Sequence, residues 1–241
     1  METILIRERY KIVRILYTAE DYILAEAVDI QDRETPLCLL NLYSGALLHR
    51  YGRLYADLRT EQCASFQWVF LEKDTLAAVF SDCKGIPIDR VFYRKDKWHW
   101  TDRLDYTEKL LHEALMLEDL PPEIGCAALR SENVRILPTR RAVALRYAVL
   151  PMGEMNRREL ALLASDQVRK LLPGRLSAPD AELVFLNRLR QGVYPSLVTL
   201  YSAWREIRPE IQADYEVWEK KKWLGKGITL LKRAFKRRRS K

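Results

Sequence analysis

The sequence holds little of what metal and redox sites are usually built from. It has three histidines and four cysteines in 241 residues. Cys38, Cys63, Cys83 and Cys126 include no C-x-x-C pair, and His49, His99 and His112 stand far apart, which argues against a zinc site. The cysteines read as buried free thiols of a reducing compartment. No apolar run approaches the roughly 20 residues needed to cross a bilayer. The opening METILIRERYKIV alternates apolar and charged residues instead of building the apolar core of a secretion signal. A cytoplasmic chain is expected.

What is present is ordinary for a globular protein: 48% hydrophobic and 31% charged residues. The length suits one large domain or two lobes around a sizeable core. The net charge of +8 is unevenly placed. Eleven of the 41 Lys/Arg residues lie in 220–241, which has no acid, leaving 30 against 33 Asp/Glu elsewhere. The body is mildly acidic and the basic pI reports a tail.

Strand patterning dominates the first third. Tyr10 to Leu16 and Tyr22 to Ile30 read as strands separated by Tyr17 to Asp21, and Pro36 to Tyr43 as a third. Leu47 to Ala64 has helical apolar spacing. Phe66 to Leu71 and Thr75 to Phe80 flank Glu72-Lys73-Asp74 as a hairpin, and Ser81 to Ile88 reads as a connector with a boundary near Asp82. Trp98-His99-Trp100 is an aromatic cluster read as an anchor rather than a stacking platform. Leu104 to Leu117 is an amphipathic helix, stopped at Pro121-Pro122. A loop with Ser131-Glu132-Asn133 follows, then Val134 to Leu137 and Ala142 to Tyr147 as a second hairpin. Helices are expected at Asn156 to Leu172, Ala181 to Leu189, Pro195 to Ile207 and Glu210 to Trp218. Strands first and helices afterwards indicate an α+β architecture.

This order resembles the protein kinase family: a strand meander, one helix, a hairpin, a hinge, a long helix, a catalytic loop and a hairpin. The likeness covers residues 10 to 150. Cys126 to Asn133 stands where the family has H-R-D-L-x-x-x-N, and Arg146-Tyr147-Ala148 where it has D-F-G. The resemblance implies a two-lobed fold: a small lobe (1–82), a shortened helical lobe (83–219) and a basic tail (220–241). Tyr10 to Glu219 spans only 210 residues, short for that family.

The chemistry the family uses is missing. The strand-one to strand-two turn has no glycine to fold closely over phosphates, and Glu20 and Asp21 would repel them. The lysine position falls on Leu40 or a neighbour, and Asn41 is no cation either. The catalytic aspartate position holds Ala128 and the D-F-G aspartate position holds Arg146. Asn133 alone keeps a metal-ligand side chain, with a loop-backbone role as its plainer reading. Arg146 needs a compensating acid, and Glu61 or another small-lobe carboxylate is the expected partner. The resemblance then implies an inactive kinase-like scaffold or regulator with no cofactor and an unidentified protein partner. Two alternatives stand: a divergent active kinase, or a small α+β module whose basic tail contacts nucleic acid or membrane.

The tail has its own pattern. Leu224, Ile228, Leu231 and Phe235 form one apolar helical stripe, with Trp223 at its edge. Lys222, Lys226, Lys232, Arg233, Lys236 and Arg237 occupy the other side and its flanks. Such a segment suits an anionic membrane surface, docking on the protein's own body or a protein partner, and nucleic acid less well. Gly225 and Gly227 weaken the helix at its start, as suits a segment that orders on contact.

Overall fold

The apolar runs of the first third pair as antiparallel strands in the computed structural model, which describes residues 5–34, 36–92, 98–172, 174 and 178–221. β1 (Leu5–Ile6), β2 (Tyr10–Ala19), β3 (Tyr22–Asp29), β4 (Leu37–Tyr43), β5 (Phe66–Glu72) and β6 (Thr75–Ser81) form one sheet in the order β1-β2-β3-β4-β6-β5. β2 runs beyond the expected Leu16 to Ala19, so the turn shrinks to Glu20-Asp21 between the paired Ala19 and Tyr22. Ala25, Ala27 and Ala77 leave room on one face, and the sheet curls over them. Its margins meet there: Tyr10 of β2 stacks on Phe70 of β5, and the Trp68 indole donates to the Tyr10 hydroxyl.

The other face of the sheet belongs to the main core. Tyr22, Leu24, Leu39, Tyr43, Leu76 and Phe80 alternate with the residues of the curled face and pack with the rest of the molecule. α1 (Gly45–Ala56) lies on this side through Tyr51 and Tyr55. It ends eight residues before the expected Ala64, because the chain turns at Asp57 and the Gln62 side chain accepts from the Arg59 N–H.

β7 (Ile86–Pro87) joins the second hairpin, β8 (Val134–Leu137) and β9 (Ala142–Leu145), in a three-stranded sheet. Gly85 makes that approach possible, since a Cβ there would stand 2.8 Å from the Arg135 Cβ and 3.1 Å from the Ile136 carbonyl oxygen. The helices are α2 (Ile88–Phe92), α3 (Trp100–Leu115), α4 (Pro122–Ala128), α5 (Arg157–Leu171), α6 (Asp180–Gln191) and α7 (Leu197–Lys220). Asn156 with Glu159 and Ser196 with Thr199 form capping boxes that start α5 and α7.

Two proline expectations are corrected. The helix before Pro121-Pro122 does end ahead of them, at Leu115 with one further turn to Asp119, but Pro122 then opens α4 instead of a loop, at a position where its missing N–H would have lacked a partner anyway. Pro209 does not divide two helices, because it lies exposed within a continuous α7 whose other side packs on α3 and α6. One lost backbone bond is outweighed by that packing. The Trp98–Trp100 cluster anchors helix to helix: Trp98 meets Tyr106 edge-on, and Trp100 stacks on Tyr215 of α7 with centroids 5.1 Å apart. No described helix is long and apolar enough to cross a membrane. The tail residues singled out above, from Lys222 to Arg237, lie outside the described residues.

Candidate functional site

The seam between the six-stranded sheet and the β8–β9 hairpin is where the degenerate motifs should converge. β4 enters it with alternate side chains, and the alternation corrects the sequence reading. Leu40 faces the curled side, fully buried among Ala25, Cys38 and Val79. The residues that face the seam are Leu39, Asn41 and Tyr43, as the period of two along a strand requires.

Asn41 is the polar centre of the seam and is completely buried. Its Oδ1 accepts from the Tyr22 hydroxyl and from the Val149 N–H, both at 2.8 Å, and its Nδ2 donates to the Tyr147 carbonyl at 3.0 Å. Two residues on, the Tyr43 hydroxyl donates to the Val149 carbonyl at 2.7 Å. The Tyr51 hydroxyl of α1 accepts from the Met152 N–H at 3.3 Å. Thus the segment after β9, which has no strand partner of its own, is held to the small lobe by three side chains.

Aromatic rings fill the space around these bonds. Tyr43 stacks on Tyr51 with centroids 4.1 Å apart, and Phe80 stacks on Tyr147 at 5.1 Å. The Tyr43 and Tyr55 hydroxyls share a 2.9 Å hydrogen bond. Burial pushes the Tyr43, Tyr55 and Tyr147 hydroxyls well above the ordinary phenol range, so they act as neutral partners.

Arg146 lies at the outer end of the seam, with its side chain about 10% exposed. Its Nε and Nη2 donate to the two oxygens of Asp82 at 2.8 and 3.0 Å, and Nη2 also reaches Glu26 at 3.0 Å. Glu26 is in turn gripped by Arg14 on β2. Burial alone would lower the Arg146 pKa, but the Asp82 pairing more than offsets it and the net shift is upward. Glu61, the expected partner, is exposed in the turn after α1 and makes no pair with Arg146. The early end of α1 carries Glu61 away, and the hinge and β3 supply the acids instead.

Ala128, expected in a loop, is the last residue of α4 and fully buried. Asn133 is also fully buried, with its Nδ2 donating to the Ala127 and Ala148 carbonyls at 2.7 and 3.1 Å. Its Oδ1 is buried without a partner. The Glu20-Asp21 turn is tied to α1 rather than to the seam. Asp21 caps α1 through the Ala46 N–H at 3.3 Å, and Ser44 donates to the Asp21 carbonyl.

Solved structures can now be compared with this arrangement. The kinase domain of Mycobacterium tuberculosis PknI superposes with a TM-score of 0.56 over 86% of this chain and 99% of that domain, at 12% identity. A doubly substituted form of that domain gives 0.55 over 89% and 98%, at 13% identity. The chain has a protein kinase-like fold. No family model and no curated protein sequence matches it, so the likeness lies in structure and not in sequence.

The resemblance read from the sequence would put magnesium and a nucleotide at this seam, and Arg146 does not fit a cation there. A divalent cation wants carboxylate oxygens, yet the position beside it carries the Arg146 guanidinium, already committed to Asp82 and Glu26. Asn133 spends its Nδ2 on two backbone carbonyls and leaves its buried Oδ1, the atom a cation would use, without a partner. A groove of about 1020 Å³ opens elsewhere, between α5, α6 and the Arg130–Glu132 turn.

Sequence reasoning located Asn133 and Arg146 but missed Asn41, Tyr43, Tyr51, Asp82 and Glu26 as the groups that close the seam. One signal was available. Asn41 is a polar residue inside the apolar run Leu37–Tyr43, and a buried polar group needs partners.

Proposed function

We propose that this chain is a catalytically silent kinase-like protein that works through protein contacts, as a scaffold or regulator. The observation that supports the reading is the Asn41 and Tyr43 grip on residues 147 and 149, the segment that on the kinase resemblance would border the reaction cleft. Phosphoryl transfer depends on positioning and on neutralising charge, and the groups that would do so are replaced by Ala128 and Arg146. Asp82 serves here as a structural counter-ion at the hinge, and we place the division between the lobes just after it.

The test is direct. Purified full-length protein should show no phosphotransfer to itself or to a generic substrate. Its melting temperature should stay the same on adding ATP with magnesium or manganese. Phosphotransfer that tracks the protein through purification and survives controls for contaminating kinases would defeat the reading. A metal-dependent stabilisation would defeat the closed-seam part of it. Affinity capture with the full chain from its native cell would then identify the partner.

A further inference from the structure

The outer face of α7 carries acids with no partners. Glu206, Glu210 and Asp214 recur at i, i+4 and i+8, with Val217 next on the same face, and all four are exposed. The inner side of the helix is fully used: Trp204 and Ile211 are buried, Arg208 reaches Asp105 and Glu108, and Tyr215 donates to Glu182. The three acids make no ion pair with any described residue. Like charges at i, i+4 repel one another. The stripe therefore works against the helix that bears it unless something cationic covers it.

The end of α7 is fixed in place beside that stripe. Glu219 accepts from the Trp100 indole and pairs with His99, both at 2.8 Å. The chain that leaves from there, residues 222–241, has nine Lys/Arg and no acid. Gly225 and Gly227 provide the kind of break that joins two antiparallel helices. Ile228 to Arg239 would span about 18 Å as a helix, close to the length from Glu206 to Val217.

We propose that residues 228–239 fold back along the outer face of α7, so that the acidic stripe is the docking surface for the protein's own basic segment. Lys232 and Lys236, which flank the apolar stripe, then answer Glu206, Glu210 and Asp214. Leu231 and Phe235 lie toward Ala213 and Val217. Because the attraction is between exposed charges, it weakens with salt. An anionic surface must compete with α7 for the same cations. The inference stands independently of how the seam is read.

The test uses the full chain. Zero-length carbodiimide cross-linking at low salt, with peptide mapping, should join Glu206, Glu210 or Asp214 to Lys232 or Lys236. The links should not depend on protein concentration and should fade at about 0.5 M salt. The variant E206Q/E210Q/D214N, with unchanged circular dichroism, should lose them. Trypsin should cut that variant within 232–239 about threefold to tenfold faster than wild type at low salt. It should also bind phosphatidylglycerol-containing vesicles more tightly. Neutralising the exposed Asp57 and Glu61 instead should change neither readout. Links confined to other carboxylates or formed only between two copies would overturn the proposal. So would equal cleavage with equal vesicle or poly-U binding by wild type and variant, which would make the lipid or the nucleic acid the segment's partner.

Discussion

Arg146 shows how one side chain can be both the mark of lost chemistry and a structural requirement. Its guanidinium holds Asp82 and Glu26 across the hinge, and neither Arg146 nor Asp82 is more than about 10% exposed. Arg146→Ala would strand the Asp82 carboxylate, so a loss of about 3 kcal/mol is expected in urea unfolding. The double variant Arg146→Met with Asp82→Leu should lose much less, since Arg14 still satisfies Glu26. Equal losses for the two variants would mean that the ion pair itself, and not the stranded Asp82 carboxylate, is what counts. Asn41→Leu should cost about as much again, because it leaves the Tyr22 hydroxyl, the Val149 N–H and the Tyr147 carbonyl without partners. Hydrogen exchange at Val149 should quicken in that variant before global unfolding.

At the scale of elements, the β2–β3 turn is set by its contact with α1. Gly45 sits at φ +49°, and a Cβ there would stand 2.5 Å from an Asp21 carboxylate oxygen. Gly45→Ala therefore combines backbone strain with displacement of a cap, a loss of about 2 kcal/mol. In an Asp21→Ala background the clash is gone and only the backbone term of about 1 kcal/mol should remain. A double-mutant cycle on thermal or chemical unfolding measures the difference. Additive losses would show that the turn and the helix start are not coupled.

At the scale of the whole molecule, a main core runs through both lobes beside a smaller one under the curled face, and both hold buried phenols and thiols. Burial pushes the Cys38 and Cys126 thiols up to about 12, and the buried tyrosine hydroxyls above their ordinary range. A thiol whose folded pKa is raised keeps its proton in the native state while the unfolded chain releases it. Stability fully present below about pH 9 should thus fall as pH rises toward 12. The melting temperature should drop by about 10 °C between roughly pH 8 and pH 10.5. Cys38→Ala with Cys126→Ala should flatten that decline. A melting temperature level across the range would mean that these groups ionise without unfolding.

The sequence by itself determined the kinds and order of the elements, and with them the fold, because a period of two or 3.6 residues is local. It also located Asn133 behind a helix and ahead of a hairpin, and Arg146 at the end of that hairpin. What it could not supply was anything resting on contacts between distant segments. Strand phase put Asn41, not Leu40, into the seam, and an error of one residue reverses a side chain's direction. The early end of α1 took Glu61 out of reach, while Asp82 and Glu26, 64 and 120 residues from Arg146, were brought to it. Pro122 and Pro209 were legible as breaks, yet one opens a helix and the other is carried inside one. Tertiary packing decides such cases, because the burial of a whole helix face outweighs one missing backbone hydrogen bond.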